Sequence, residues 1–460
     1  MKSIGSSGRL RPAGSAGRCV GRLAALLLSV SLSLGVARGQ QDEGWQPLDN
    51  GHSLRLVGLP AARAQAITVV WPNEFRRDPN AEKALALAVA GFRLQRARVG
   101  LPEGARASVE VLDGMTLYHL RLPVGSDLAA KWLSGLMQRP DPDDDSDNLQ
   151  LALARNALAA DDASWLFPGP VLRSRARIAL ASGTAAGADL LGSPTFLQHC
   201  PLAELADAVG REPGSPLRVV VVGHLDGAEA LRKSVEAIKP HEQSHGRHTS
   251  LPVEASFSEH PRVDGAFVGA AIATPRPSAE AIPFALMVEL VRERAAEQFG
   301  SYRGGEAAAQ APFVTYSFLT GGSVLLICRR GPNFSDNELP REEIERLLQS
   351  FRESPPRTGA LQAAVLRVQA EWAVPPWAPR QVQALVQNPE GLAPRARSLA
   401  LLGHWGVTDA VVRELDTHPG VVGGLDNGTV AGLLKQSFRA DQIWWGGLDP
   451  RPLPIDSQWR

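Results

Sequence analysis

Two histidines and a glutamate stand at metal-binding spacing near the middle of the chain. His241, Glu242 and His245 form the sequence H-E-x-x-H. On a helix, this spacing puts both imidazoles on one face, where they can bind zinc while the glutamate acts as the general base of a metallopeptidase. However, a proline precedes the motif, a glycine follows it, and the segment 240–250 lacks the apolar periodicity of a buried helix. The motif is therefore interpreted as part of a solvated, His-rich linker, with a weak metal site and a catalytic zinc site as the alternatives.

The first half of the chain contains both predicted strands and predicted helices. Strands are predicted at 53–59, 66–71, 108–112, 115–122 and 217–223, the third and fourth joined as a hairpin by an Asp-Gly turn. Helical spacing of apolar residues predicts helices at 80–98, 126–138, 148–160, 171–181, 201–209 and 227–238.

The second half repeats this order. Strands are predicted at 266–274, 313–318, 323–328 and 442–446, and helices at 278–299, 341–351, 359–372 and 427–438. Near the end of each half, Gly-His-Leu-Asp226 is matched by Gly-Gly-Leu-Asp449. A repeat of this size indicates a duplicated domain, and the element order predicts the α+β class, with mixed sheets covered by helices. The alternative is two ordinary α/β domains that share an element order by chance.

The amino end has the pattern of a targeting segment. Residues 1–22 are basic and contain no acid, and the apolar run 23–36 is short for a membrane span. Small residues at Ala37 and Gly39 predict cleavage before Gln40. We therefore expect an exported protein, periplasmic or extracellular, without a membrane span after cleavage; an uncleaved anchor is the alternative. The predicted divisions are a signal peptide at 1–39, a first domain at 40–240, a His-rich linker at 241–262 and a second domain at 263–460.

Composition narrows the classes of function. The chain has 460 residues, with 48 Lys and Arg against 48 Asp and Glu, so bulk charge does not favour nucleic-acid binding. With 44% hydrophobic and 21% charged residues, the chain has the composition of a globular protein. Signal cleavage would leave Cys200 and Cys328, too few for a disulfide framework, and both are expected to be buried thiols.

Two short motifs resemble a known family. Leu48-Asp-Asn-Gly51 stands just before the first predicted strand and resembles the Leu-x-Asn-Gly opening of the insulinase/pitrilysin family. The strand end at Gly223-His-Leu-Asp226 resembles the same family, as does the repeated α+β half. The resemblance covers nearly all of 48–450. It implies two similar domains that enclose a polypeptide-binding cleft, and, in active members, a zinc peptidase with an inverted H-x-x-E-H motif on the first helix and a downstream Glu ligand.

The sequence departs from this pattern at the implied zinc ligands. A zinc peptidase needs three protein ligands, an open water position and a carboxylate base. No His occurs between His52 and His119, so the helix predicted at 80–98 contains none. No Glu occurs between Glu110 and Glu204, where the resemblance implies the third ligand. We interpret the chain as a non-catalytic relative without a cofactor; zinc enters only under the H-E-x-x-H alternative.

The resemblance also implies a way to hold a substrate. In paired bacterial members, the subunit without the zinc motif can supply an Arg and a Tyr from its second domain. Arg294 and Tyr302 loosely match that motif at a longer spacing, while Tyr316 competes for the tyrosine role. The alternative is a charged helix end with a surface tyrosine.

Three hypotheses follow from these observations. The favoured one is an exported, inactive insulinase-type protein that binds polypeptide, an active insulinase-type subunit or a second copy of itself. The second is a zinc metallopeptidase that uses His241, Glu242 and His245. The third is an envelope scaffold that binds no peptide.

Overall fold

The fold contains two mixed β-sheets whose faces are covered by helices. The computed structural model describes residues 40–73, 79–112, 114–124, 128–141, 144–166, 168–180, 193–211, 213, 215–239, 256–260, 267–299, 313–321, 324–330, 338–353, 358–415, 432–433, 435–439 and 442–450. The signal segment, the H-E-x-x-H motif and Tyr302 lie outside these residues.

The first sheet has six strands in the order β1-β2-β6-β3-β5-β4. Its strands are β1 (Gln41–Pro47), β2 (Ser53–Gly58), β3 (Ala64–Pro72), β4 (Arg106–Leu112), β5 (Met115–Pro123) and β6 (Arg218–Gly223). Strands β2 and β6 pair in parallel, and every other neighbouring pair is antiparallel. The central strand β3 is buried along its whole length, which explains its nearly continuous apolar sequence.

Seven helices of the first half are described. They are α1 (Pro79–Ala97), α2 (Ala129–Met137), α3 (Ser146–Leu166), α4 (Pro168–Leu180), α5 (Pro194–His199), α6 (Leu202–Val209) and α7 (Ala228–Glu236). The predicted helices and strands occur here in the predicted order, and β1 and the short helix α5 are additions. Strand β1 escaped prediction because its sequence, QDEGWQP, is mostly polar.

The second sheet repeats the topology of the first. Its strands are β7 (Ser256–His260), β8 (Phe267–Ala273), β9 (Phe313–Thr315), β10 (Val324–Arg330) and β11 (Trp444–Pro450), in the order β7-β11-β8-β10-β9. Strands β7 and β11 are parallel and the other pairs are antiparallel. Strand order and sense therefore equal those of β2-β6-β3-β5-β4, and the predicted α+β class with mixed, helix-covered sheets is confirmed.

Two boundaries differ from expectation. Residues 256–260 were assigned to the linker but form β7, because backbone pairing with β11 orders a segment whose composition is polar. Strand β11 begins at Trp444 and runs to Pro450, beyond the predicted end at 446. Glycine disfavours strands, but here the Trp444 ring lies over Gly446, where an added Cβ would stand 2.1 Å from the indole.

The helices of the second half complete the fold. They are α8 (Ile282–Phe299), α9 (Glu338–Glu353), α10 (Thr358–Trp372), α11 (Pro379–Gln387), α12 (Leu392–His404) and α13 (Asp409–Arg413). None of the helices in the described ranges is long and apolar enough to cross a membrane.

Each half lends one helix to the sheet of the other. Helix α4 packs on β8, β10 and β11, where Leu172 and Ala176 share a buried cluster with Trp444. Helix α12 packs on β3 and β6, and Leu399 belongs to the same buried cluster as Val220. The halves therefore interlock through these two helices and share a continuous apolar core.

Candidate functional site

The resemblance implies metal ligands on α1 and on a downstream helix, and these helices do meet. Helix α1 packs against α3. The buried cluster between them contains Ala84, Leu85 and Ala88 from α1, with Leu149 and Leu153 from α3. At one end, Gln95 Nε2 donates a hydrogen bond of 3.1 Å to Asn148 Oδ1. The described side chains named here are alkyl groups and two amides, which are not zinc ligands.

The two histidines that flank α1 in sequence make their contacts within the first sheet and the turn that precedes it. His52 is fully buried, and its Nδ1 accepts a hydrogen bond of 3.0 Å from the Leu217 backbone. His119 Nδ1 lies 3.0 Å from Thr68 Oγ1 on the neighbouring strand. Burial lowers the pKa of both imidazoles, that of His119 to about 4. Across the described ranges, no group of three or more His, Cys, Asp or Glu residues could hold a metal ion.

A lysine of α1 and an arginine just after the helix donate hydrogen bonds to backbone carbonyls of β4. Lys83 is buried, and its Nζ donates to the carbonyls of Val111 and Leu112 at 3.0 and 2.9 Å. Arg98, just after α1, donates to the carbonyl of Ala107. Carbonyls 107 and 111 point to the same side of the strand, and the two-residue turn to β5 makes that side the unpaired one. The edge that a bound extended chain would use therefore has two acceptors already satisfied.

A buried arginine joins α1 to the sheet beneath it. The guanidinium of Arg93 lies 3.8 Å from the centroid of Trp71. It also donates hydrogen bonds of 2.7 and 2.8 Å to the carbonyls of Val209 and Arg211, just beyond the end of α6. Sequence reasoning missed this residue because a charged side chain in an apolar helix reads as a solvated position. Its Trp neighbour and the carbonyls of a helix end are supplied by tertiary contacts.

The predicted substrate contact Arg294 lies on α8 and is engaged within the second half. Its Nη1 donates to the carbonyl and the hydroxyl of Ser350 at 3.2 and 3.3 Å. Its guanidinium also lies 4.7 Å from the ring centroid of Phe351. Tyr302, the other predicted contact, lies outside the described ranges. The competing Tyr316 is buried against Phe284 in an edge-to-face contact, and burial raises its pKa.

The two motifs that carry the family resemblance have structural roles. Asn50 Nδ2 donates to the carbonyls of Val235 and Ile238 at 2.8 and 2.9 Å, which caps the end of α7. Gly223 has φ +116°, and a Cβ there would stand 2.4 Å from the Ala64 carbonyl oxygen. Only glycine fits this close approach of β6 to β3. Both motifs thus specify the packing of the first sheet.

Cys200 and Cys328 are buried and free, as predicted. Burial raises the pKa of Cys200 to about 11, with a further contribution from Glu204. Cys328 lies at the centre of β10, and burial raises its pKa as well. Both thiols are thereby kept protonated and unreactive.

Comparison with solved structures shows that this fold is similar to that of M16-like peptidases. The peptidase M16 inactive domain of Pseudomonas fluorescens matches with a TM-score of 0.62 and 13% identity, over 90% of this chain and 98% of that one. A protease from Helicobacter pylori matches with a TM-score of 0.61 and 13% identity, over 89% of this chain and 100% of that one. A chain of complex III from Candida albicans matches with a TM-score of 0.61 and 11% identity, over 88% and 95%.

The low sequence identity of these matches decides which conclusions they support. Neither a known family profile nor a curated protein sequence matches the chain. At 11–13% identity, the solved structures establish the fold alone. The chain has the M16-like fold of the insulinase type, as the sequence motifs predicted, and its chemistry must be argued from its own residues.

Proposed function

We propose that this chain is an exported, non-catalytic insulinase-type protein that binds polypeptide or an active peptidase subunit. The observation that carries the proposal is the apolar contact between α1 and α3, built from residues such as Ala88 and Leu149. In an active peptidase of this fold, that region must offer imidazole and carboxylate ligands to zinc. Because apolar side chains fill this contact, the role that we propose for the fold is binding of a polypeptide or of a partner subunit.

Two further observations support this proposal. The basic and apolar segment 1–36 has the pattern of an export signal. The chains of similar fold include an inactive M16 domain and a chain of a multi-subunit complex. A partner role, with an active insulinase-type subunit or with a second copy of this chain, agrees with both.

The test of non-catalysis is a metal and peptidase measurement on the mature chain, residues 40–460. We expect substoichiometric zinc by elemental analysis and no cleavage of a fluorogenic peptide library in the presence of added zinc. The zinc-peptidase alternative predicts one zinc per chain and proteolysis. Both would be lost in His241→Ala, while His199→Ala, an exposed histidine outside the motif, would keep them. That pattern would overturn the proposal.

The candidate substrate contact can be tested separately. If Arg294 holds a substrate carbonyl, Arg294→Ala should weaken peptide capture by about ten- to a hundredfold, the effect of losing one charge-assisted hydrogen bond. Its bonds to Ser350 give it a structural role in the free protein. A lowered melting temperature with unchanged capture would assign it to that role alone, which the scaffold hypothesis predicts.

A further inference from the structure

A groove on the outer side of the first half is lined by apolar residues and rimmed by cations. It lies where the end of α1, the whole of α2 and the end of α7 meet, and its volume is about 880 Å³. Leu101, Leu128, Trp132, Leu133 and Met137 contribute its apolar lining. We call this the α1–α2–α7 groove.

The shape of the groove follows from two glycines. Gly135 lets α2 approach α1 closely, because a Cβ there would stand 3.2 Å from Ala97 Cα. Gly100 has φ +78°, which turns the chain away after α1 and opens the groove at that end. A Cβ at Gly100 would lie 3.4 Å from Lys131 Nζ, so this ammonium stands at the rim.

The charges around the groove have one sign. Its lining includes Arg96, Lys131 and Lys239 and no Asp or Glu. Arg96 lies 3.3 Å from Asp145 and is partly neutralised. Among the described residues, Lys131 and Lys239 have no ion-pair partner. The positive charge that these side chains place at the rim therefore favours an anionic occupant.

One further feature indicates that the occupant has an apolar face. Val99 stands beside the groove with 77% of its surface exposed, more than any other large apolar residue in the described ranges. A bound segment with an apolar face would remove this side chain from water.

We propose that the α1–α2–α7 groove binds an amphipathic helix of a partner polypeptide, with its apolar face on the groove lining and acidic side chains against Lys131 and Lys239. A half-open groove between helices suits a helix, which leaves its polar face in water, better than a small ligand, which needs to be largely enclosed. The inference deepens the proposed function and rests on it for the premise that the chain binds a polypeptide.

The test uses three probes on the mature chain. The first is a fluorescently labelled 18-residue helical peptide with Leu at positions i, i+3, i+4 and i+7 and Glu on the flanks. The second has Lys in place of each Glu, and the third is dodecanoate. We expect the acidic peptide to bind, with an affinity that falls as salt is raised, and the basic peptide to bind at least about tenfold more weakly.

Reversing the charge of the groove lysines tests whether the peptides bind in the groove. The double variant Lys131→Glu/Lys239→Glu should weaken binding of the acidic peptide by about tenfold or more and improve that of the basic one. Lys233→Glu, an exposed lysine on α7 that does not line the groove, is the matched control and should bind like wild type. Ser134→Trp, which places a large ring in the groove, should abolish binding.

Three results would overturn the inference. One is equal binding of the two peptides, another is equal weakening by the control and the double variant, and the third is binding of dodecanoate without binding of the peptide. Each of these leaves the proposed absence of catalysis standing, because the zinc and peptidase measurements do not involve the groove. Conversely, proteolysis that depends on His241 would overturn the proposed function whatever the peptides do.

Discussion

The contact between α1 and α3 and the contact between the two halves of the chain are both apolar at their centres, but they differ in their charged pairs. The first is apolar at its centre, where Ala88 faces residues such as Leu149. The second is crossed by ion pairs. Arg55 on β2 lies between Asp42 on β1 and Asp409 on α13, and Arg397 on α12 holds Glu110 on β4.

The ion pairs between the halves are geometrically well formed. Arg55 is 2% exposed and donates two hydrogen bonds to each of its carboxylates, including 2.6 Å from Nη2 to Asp42 and 2.8 Å from Nη1 to Asp409. Burial would lower the pKa of Arg55, but the hydrogen bonds to Asp409 and Asp42 raise it overall. Arg397 binds Glu110 through two bonds of 2.8 Å. Two-point arginine pairs of this kind fix orientation as well as distance.

The difference between the two contacts indicates the structural role of the charged pairs. In a zinc peptidase of this fold, polar groups must converge on the first helix to bind metal and substrate. In the described residues, the ion pairs of Arg55 and Arg397 join α13 and α12 to the first sheet. Trp45 on β1 adds to this, since its ring packs so closely on α12 that a Cβ at Gly403 would stand 2.0 Å from it. Such a chain is organised to keep its two halves in one arrangement.

The largest expected effect comes from placing a charge in the apolar contact. Ala88→Asp buries a carboxylate in the apolar cluster that α1 and α3 form. We expect a loss of more than about 4 kcal/mol of unfolding free energy, or failure to fold. Urea unfolding followed by circular dichroism measures it. Ala86→Asp, on the partly exposed side of the same helix, is the control and should cost less than about 1 kcal/mol. If both variants lose the same unfolding free energy, the α1–α3 contact is accessible to water. A polar site would then be possible there.

The next effect breaks the contact between the halves. Arg55→Met removes one cation and leaves Asp42 and Asp409 facing each other with no charge between them. Removing one partner of a buried pair costs about 3–5 kcal/mol. Differential scanning calorimetry should show a lower melting temperature, while Arg232→Met, which breaks an exposed pair with Glu236, should change little. If Arg55→Met melts like wild type, these ion pairs do not hold the halves together.

The order of elements could be predicted from sequence because local patterns encode it. Strands such as β3 and β6 are apolar runs bounded by turn residues, and α1 has helical spacing. The sequence also showed that 53–118 contains no His and 111–203 no Glu, the residue types that the resemblance implies there as zinc ligands. The glycine at 223 was recognised by motif, while its reason, the 2.4 Å approach to the Ala64 carbonyl, is visible only in the fold.

The remaining features depend on contacts between residues far apart in the chain. Arg55 and Asp409 are 354 residues apart, and no local pattern pairs them. Helix α4 has the periodicity of any amphipathic helix, which does not reveal that it covers the sheet of the other half. The groove at α2 and α7 likewise combines segments that are about a hundred residues apart, such as Lys131 and Lys239. Sequence reasoning therefore predicted the elements and missed the surfaces between them.

The smallest expected effect is a difference in acid sensitivity between the two contacts. His119 lies near Glu110 and Arg397, and His404 at the end of α12 lies near Arg218 and Arg276. Burial lowers the pKa of each imidazole from 6.5 to about 4, with Arg218 and Arg276 lowering that of His404 further. The folded protein therefore binds fewer protons than the unfolded chain. The stability that these residues contribute is complete above pH 6.5 and is lost as the pH falls towards about 4.

Between pH 7 and pH 5, each imidazole should remove at most about 2 kcal/mol of unfolding free energy. We expect His404→Asn and His119→Asn each to flatten the pH dependence of urea unfolding by about that amount, while His199→Asn, an exposed control, leaves the slope unchanged. Hydrogen exchange at pH 5 should show α12 losing protection before α1, because the α1–α3 contact is apolar at its centre while α12 ends at His404. Loss of protection in α1 first would mean that the apolar contact is the weaker of the two, and that buried charge is not what limits the stability of this fold in acid.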